Sequence, residues 1–188
     1  MCDAEIVGLL LAAGAGRRMG RPKALVWGAD GKSWLRSSRS RLSAAGCVEV
    51  VTILGARADE AIPLVEEGRY IIARNWSDGM GESLKTGLLA LLDSRFDGAL
   101  IHLVDLPDVG VQTMQRVLAA ARASSLQRAT FNGVPGHPVL IGRDHWPALI
   151  NSLHGDVGAA NYLRRNDTRA IECGDLATGR DVDAIDEL

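Results

Sequence analysis

The stretch Ile6-Val7-Gly8-Leu9-Leu10-Leu11-Ala12-Ala13-Gly14-Ala15-Gly16-Arg17-Arg18-Met19-Gly20-Arg21-Pro22-Lys23 runs from an apolar segment into a glycine-rich turn crowded with cations. An apolar run without polar alternation is the pattern of a strand buried on both faces, as in a parallel sheet covered by helices. In the turn, Gly14, Gly16 and Gly20 allow positive φ and close backbone approach. Several N–H groups can then converge on an anion, with Arg17, Arg18, Arg21 and Lys23 supplying charge, so the loop reads as a triphosphate cradle. The alternative is a tight βα turn with surface arginines. Two familiar phosphate loops do not fit. The third glycine of G-x-G-x-x-G falls on Met19, and Lys23 lies between Pro22 and Ala24 rather than between Gly and Ser or Thr.

The rest of the chain continues the alternation that this opening implies. The pattern predicts a helix capped by Ser33, burying Trp34, Leu35 and Leu42 and ending at Gly46. Strands follow over residues 48–54, 70–73 and 98–104, with helices over 58–66, despite Pro63, and over 81–92. A further helix begins near Val111, and the segment from Gly133 to Leu140 reads as a turn and the start of an extended stretch. Such alternation predicts a three-layer α/β/α architecture around a mostly parallel, Rossmann-like sheet with right-handed crossovers. Ligands of these sheets gather at the carboxyl ends of the strands.

Composition narrows the class. The 188 residues are 47% hydrophobic and 23% charged, enough for a sizeable core, and are expected to form a single domain over 1–188. The net charge of −2 leaves no electrostatic footprint for nucleic acid or an acidic membrane surface. Cys2, Cys47 and Cys173 are scattered without a C-x-x-C pair, which argues against a disulfide framework or zinc site and favours a reducing, cytoplasmic setting. With Asp3 and Glu5 ahead of a short apolar run, the N-terminus reads as neither signal peptide nor membrane span.

Asp105 ends the apolar fourth strand in Leu103-Val104-Asp105-Leu106-Pro107-Asp108, facing the same crevice as the glycine loop. That place suits a Mg²⁺ ligand, since magnesium in nucleotide sites takes one or two carboxylates plus phosphate oxygens. Asp105 could instead cap the next helix or order the turn before Pro107, although Asp108 fits the cap better. In Asn75-Trp76-Ser77-Asp78-Gly79-Met80-Gly81-Glu82-Ser83-Leu84, the glycines permit a tight path and Ser83 with the helix start can present donors to an anion. Trp76 as core and Ser83 as a cap are the plainer readings. His137, in Gly136-His137-Pro138, either contacts a substrate phosphate or orders the turn. None of the cysteines has a context that would activate a thiolate, so covalent catalysis is not expected.

Leu11-Ala12-Ala13-Gly14, Arg18-Met19-Gly20 and Lys23 resemble the signature L-A-A-G-x-S-x-R-M-G-x-x-K of the MobA-like nucleotidyltransferases, with Gly16 where Ser is common. Residues 75–84 resemble that family's N-x-x-W-x-x-G-M-G-x-S-L, with Trp76 one place nearer Asn75. Gly136-His137-Pro138 resembles its G-H-P motif. Asp181-Val182-Asp183-Ala184-Ile185-Asp186-Glu187-Leu188 resembles D-[IV]-D-T-P-E-D-L, with Ala184 and Ile185 replacing Thr-Pro.

The resemblance implies a fold of the nucleotide-diphospho-sugar transferase type and a nucleotidyl transfer that releases pyrophosphate. It assigns Mg²⁺, with Mn²⁺ possible, to Asp105 and Asp183. It assigns the nucleotide to Leu11, Ala12, Ala13, Gly14, Ala15, Gly16, Lys23 and Ser83, the substrate to Asn75, Trp76, Gly79 and His137, and catalysis to Arg18, Lys23 and Asp105. Cytidylyl members of the cofactor branch tend to carry L-A-A-G and guanylyl members L-A-G-G. Ala13 therefore implies CTP and molybdopterin as substrates, with a molybdenum hydroxylase apoenzyme as downstream partner. Two other readings stand beside it: a nicotinamide-dependent oxidoreductase, which also occurs among MobA-like sequences, and a chaperone that holds the molybdenum cofactor. As exposed cations, Arg18 and Lys23 are expected to contribute little to folding. Gly14 is expected to need the absence of a Cβ.

Overall fold

In the computed structural model, which describes residues 4–28 and 30–183, the apolar opening is β1 (Ile6–Ala12), buried at every position. It is an interior strand of a seven-stranded sheet with β2 (Glu49–Leu54), β3 (Tyr70–Ile72), β4 (Gly98–Leu103), β5 (Leu126–Phe131), β6 (Val134–Gly142) and β7 (Arg169–Glu172). The strand order is β3-β2-β1-β4-β6-β5-β7. β1 pairs in parallel with β2 and β4, β2 with β3, and β5 with β7, whereas β6 runs antiparallel to both its neighbours. The expected architecture is therefore present: a mostly parallel sheet with a single reversed strand.

Helices α1 (Trp34–Ala44), α2 (Ala58–Val65), α3 (Met80–Leu89), α4 (Val111–Leu118), α5 (Trp146–Ser152) and α6 (Ala160–Arg165) cover the sheet. One apolar cluster joins Leu10, Trp34, Leu35, Leu42, Leu100, Met114 and Leu140 on one face. A second joins Leu9, Ile53, Leu84, Leu88, Ile101 and Trp146 on the other. Ser33 caps α1, its hydroxyl accepting from the Arg36 N–H, and Gly46 takes the positive φ of 110° that turns the chain after that helix. α3 lies close to the sheet because residue 87 is glycine: a Cβ there would sit 3.0 Å from the Leu9 methyls and 3.1 Å from that of Ile53.

Two expectations change. α3 ends at Leu89 rather than near residue 92. Asp108 does not cap α4, whose N-cap is Gly110 with no side-chain cap bond. Cys47 and Cys173 are free and buried, and burial pushes the Cys47 thiol up to about 12. No helix among the described residues is long and apolar enough to cross a membrane. Residues 184–188, with Asp186 of the acidic motif, lie outside the described residues, as does Cys2.

Candidate active site

β1 and β4 are adjacent and parallel, with Leu11 in register with Leu103, so the loops leaving their carboxyl ends open into one crevice. That crevice is a cavity of about 480 Å³. Residues 11–16, Arg18, Lys23, Trp76, Gly79, Ser83, Asp105 and Asp183 all line it. Asn75 is exposed beside it without lining it.

His137 does not line the cavity either; it sits on β6. Burial, and then the charge of Arg128, push its pKa down to about 4, so near neutral pH its imidazole is uncharged and poorly suited to a phosphate. His102, fully buried on β4, is also driven well below the ordinary range by burial, with Arg41 and His137 opposing protonation.

The glycine loop is shaped at Gly16, not Gly14. Gly16 has φ of 57°, and a Cβ there would collide with the Arg21 carbonyl oxygen. Gly14 has open space where its Cβ would be and no positive φ, so the expectation that it must lack a Cβ is corrected.

Lys23 also departs from expectation. Its ammonium lies 2.7 Å from the Asp105 carboxylate and 2.6 Å from that of Asp183, and its side chain is only 16% exposed. Arg18, 78% exposed, reaches Asp183 at 2.7 Å. Arg18 is thus the surface cation expected, whereas Lys23 is a half-buried bridge between segments 82 and 160 residues away in sequence. Burial alone would lower the Lys23 pKa. The hydrogen bonds and charges of Asp105 and Asp183 outweigh that and raise it above 10.5. Asp183 is held below 3.8, chiefly by the hydrogen bond from Lys23; burial, the next largest influence, opposes this, and the charges of Lys23 and Arg18 add to the lowering.

One carboxylate oxygen from each of Asp105, Asp181 and Asp183 lies within 4.8 Å of the others, a donor set that fits a hard divalent cation. Asp181 escaped the sequence reading, which took only Asp183 from that segment.

A further acid lines the cavity on a different loop. The loop carrying Gly155 and Asp156 docks on the start of α3, with the Gly81 N–H donating to the Gly155 carbonyl at 2.9 Å and the Gly155 N–H to Glu82 at 3.2 Å. A Cβ at Gly79 would strike Asp156, and one at Gly81 would strike the carbonyls of Gly155 and Val157, so these glycines serve that docking. Asp156, with Ser77 and Met80, lines the cavity. The sequence signal for it was only an acid between two loop glycines. The cavity is thus lined by Arg17, Arg18 and Lys23 together with Asp105, Asp183 and Asp156, and by Ser83 and Trp76.

Residues 8–170 match the MobA-like NTP transferase domain. The chain belongs to that family. Within reach of this MobA-like chain, the nicotine blue oxidoreductase of Paenarthrobacter nicotinovorans is 34% identical over 97% of this chain and 94% of its own length. A probable molybdenum cofactor guanylyltransferase of Rhodopirellula baltica is 30% identical over 65% of this chain and 58% of its own. The MobA-like fold is shared with Rv0371c of Mycobacterium tuberculosis H37Rv, which superposes with a TM-score of 0.81 at 24% identity over 99% of this chain and 96% of that one. Its complex with manganese superposes at 0.73 over 90% and 88%.

Proposed function

We propose that this MobA-like protein transfers a nucleotidyl group from a nucleoside triphosphate, with CTP favoured, to a phosphate-bearing acceptor of the molybdopterin type, releasing pyrophosphate. The observation that carries the reading is the meeting of Lys23, Asp105 and Asp183 at the mouth of the glycine loop. Bound to Asp105 and Asp183, Mg²⁺ or Mn²⁺ supplies charge neutralisation at the triphosphate.

The polyanionic triphosphate belongs at the glycine loop, where loop N–H groups, Arg18 and Lys23 stabilise the charge that develops on the departing pyrophosphate. An oxygen of the acceptor phosphate attacks the α-phosphorus in line, and the bond to the bridging oxygen of the β-phosphate breaks. Positioning and electrostatics carry such a transfer, which requires no covalent nucleophile on the protein. On this reading the uncharged base lies near Ala13 and Ser83, both of which line the cavity, and the added methyl of Ala13 favours the smaller cytosine over guanine. A molybdenum hydroxylase apoenzyme is the receiving partner on this reading.

A second reading is favoured by the 34% identity to nicotine blue oxidoreductase across nearly the whole chain. There the crevice would hold a nicotinamide dinucleotide and an oxidised aromatic substrate. Pyrophosphate release measured with each nucleoside triphosphate, with and without molybdopterin, beside NADH and NADPH oxidation with a quinoid dye, separates the two. Reduced-dinucleotide turnover without pyrophosphate release would replace the transferase reading with the oxidoreductase one.

A further inference from the structure

Besides the ion pairs of Asp183 with Lys23 and Arg18, the segment that brings Asp183 to the crevice is held to the protein ahead of that residue. Arg116 on α4 forms a two-pronged pair with Asp175, at 2.5 and 2.9 Å. The Val182 N–H donates to the Asp105 carbonyl oxygen at 3.0 Å. Between them, one oxygen of Asp108 accepts the Thr178 N–H at 2.7 Å, the Thr178 hydroxyl at 2.6 Å and the Gly179 N–H at 3.2 Å. The Thr178 hydroxyl accepts in turn from the Arg180 N–H at 3.3 Å, and Gly179 turns the chain with φ of 64° against the Phe131 ring.

The carboxylate that makes this turn stands on a braced loop. Arg41 donates to the Pro107 and Val109 carbonyls, one on each side of Asp108, and also bonds Ser37 and Ser38 of its own helix. Asp108 is thus fixed three residues after Asp105, on the same loop.

The geometry points to Asp108 as a positioning residue. By holding the 178–179 turn it sets Asp183 opposite Asp105, so that both carboxylates of the cation pair are mounted on the loop after β4, one directly and one through this latch. The inference rests on reading Asp105 and Asp183 as cation ligands. Ordering each residue of an irregular segment costs backbone entropy, and the latch settles that cost in the free protein before any cation arrives. An outer partner that orients a ligand in this way typically controls affinity by 10–100-fold.

The test compares Asp108→Ala, Asp108→Asn, Thr178→Val and Asp183→Asn with wild type in two measurements. The first is hydrogen exchange of the Val182 amide, whose own partner is the Asp105 carbonyl and not Asp108. The second is Mn²⁺ affinity by electron paramagnetic resonance.

In Asp108→Ala, Val182 exchange should accelerate and Mn²⁺ affinity fall by roughly tenfold or more, with the global unfolding midpoint little moved. Asp108→Asn keeps an oxygen that accepts and should recover most of both. Thr178→Val removes one donor from the other side and should move both in the same direction, so the question stays decidable if Asp108→Ala folds poorly. Unchanged Val182 protection in Asp108→Ala and Thr178→Val overturns the latch, whatever the cation does. Mn²⁺ affinity kept in Asp108→Ala but lost in Asp183→Asn overturns it too, leaving the cation reading intact. Absence of Mn²⁺ binding in wild type removes the cation reading, and with it the role given to Asp108.

Discussion

Replacing Lys23 with methionine keeps an unbranched side chain one atom shorter and removes the charge between Asp105 and Asp183. The three side chains are 16%, 17% and 25% exposed, between the extremes for which ion pairs have been measured. A unit-charge pair at about 4 Å attracts by ~4 kcal/mol near a protein surface, before the cost of desolvation is set against it. Exposed pairs contribute ~0–1 kcal/mol net, while stripping one partner from a buried pair costs ~3–5 kcal/mol.

Lys23→Met leaves the carboxylates of Asp105 and Asp183 facing each other without the ammonium between them, so a loss of about 1–3 kcal/mol is expected at pH 7. For a chain of this size that is a fall in Tm of about 3–10 °C. The pH dependence has a defined shape. Asp183 has a folded pKa below 3.8, so its contribution is present above that value and lost as pH falls through the depressed one. Lys23 has a folded pKa above 10.5, so its contribution is present below that value and lost as pH rises through the raised one. The gap between wild type and Lys23→Met should therefore stay open across the neutral range and close toward both ends. Urea unfolding at stepped pH, with and without Mn²⁺, measures this, and Mn²⁺ should restore stability to the variant by replacing the missing cation. Equal unfolding free energies of the two proteins from pH 5 to 9 would refute the bridge.

Asp105→Asn and Asp183→Asn should fold yet lose divalent-dependent pyrophosphate release, and wild-type turnover in either would remove that residue from the site. In calorimetric titrations CTP should bind more tightly than GTP, with Ala13→Gly shifting the ratio toward GTP; equal affinities in wild type would defeat the assignment to cytosine. Gly16→Ala should lower the unfolding midpoint and weaken nucleotide binding, because its φ of 57° and the Arg21 carbonyl leave no place for a methyl, whereas Gly14→Ala should keep the midpoint within about 0.5 kcal/mol. Thermal melts of the two variants side by side decide this.

The first four strands were legible because each is an apolar run with a recognisable stop. Ser33 and Gly46 bracketed α1 for equally local reasons. β5 was not, because Leu126-Gln127-Arg128-Ala129-Thr130-Phe131 carries polar residues that find partners only in the folded chain. Thr130 donates to Glu172, and Arg128 to the Gly136 carbonyl. α5 and α6, of seven and six residues, are too short for a helical period to stand out. In the site, Asp105 was readable from its place at a strand end. The burial of Lys23 was not, since its partners come from the loop after β4 and from the segment after β7. Asp108 looked like a cap because a cap is a local arrangement, whereas the donors it meets are 70 and 71 residues further on.

The glycine at position 87 gives this protein a setting screw on the back of its crevice. α3 carries Ser83, which lines the cavity, and packs on the sheet at residue 87, where a Cβ would come within 3.0 Å of the Leu9 methyls. A bulkier residue at 87, or a smaller one at Leu9 or Ile53, would tilt or settle the helix and so widen or narrow the mouth. None of those three residues lines the cavity. The width offered to a base or acceptor can therefore be retuned through the apolar layer while the charged groups that handle phosphate stay in place, which is one physical route by which a single scaffold comes to serve different ligands.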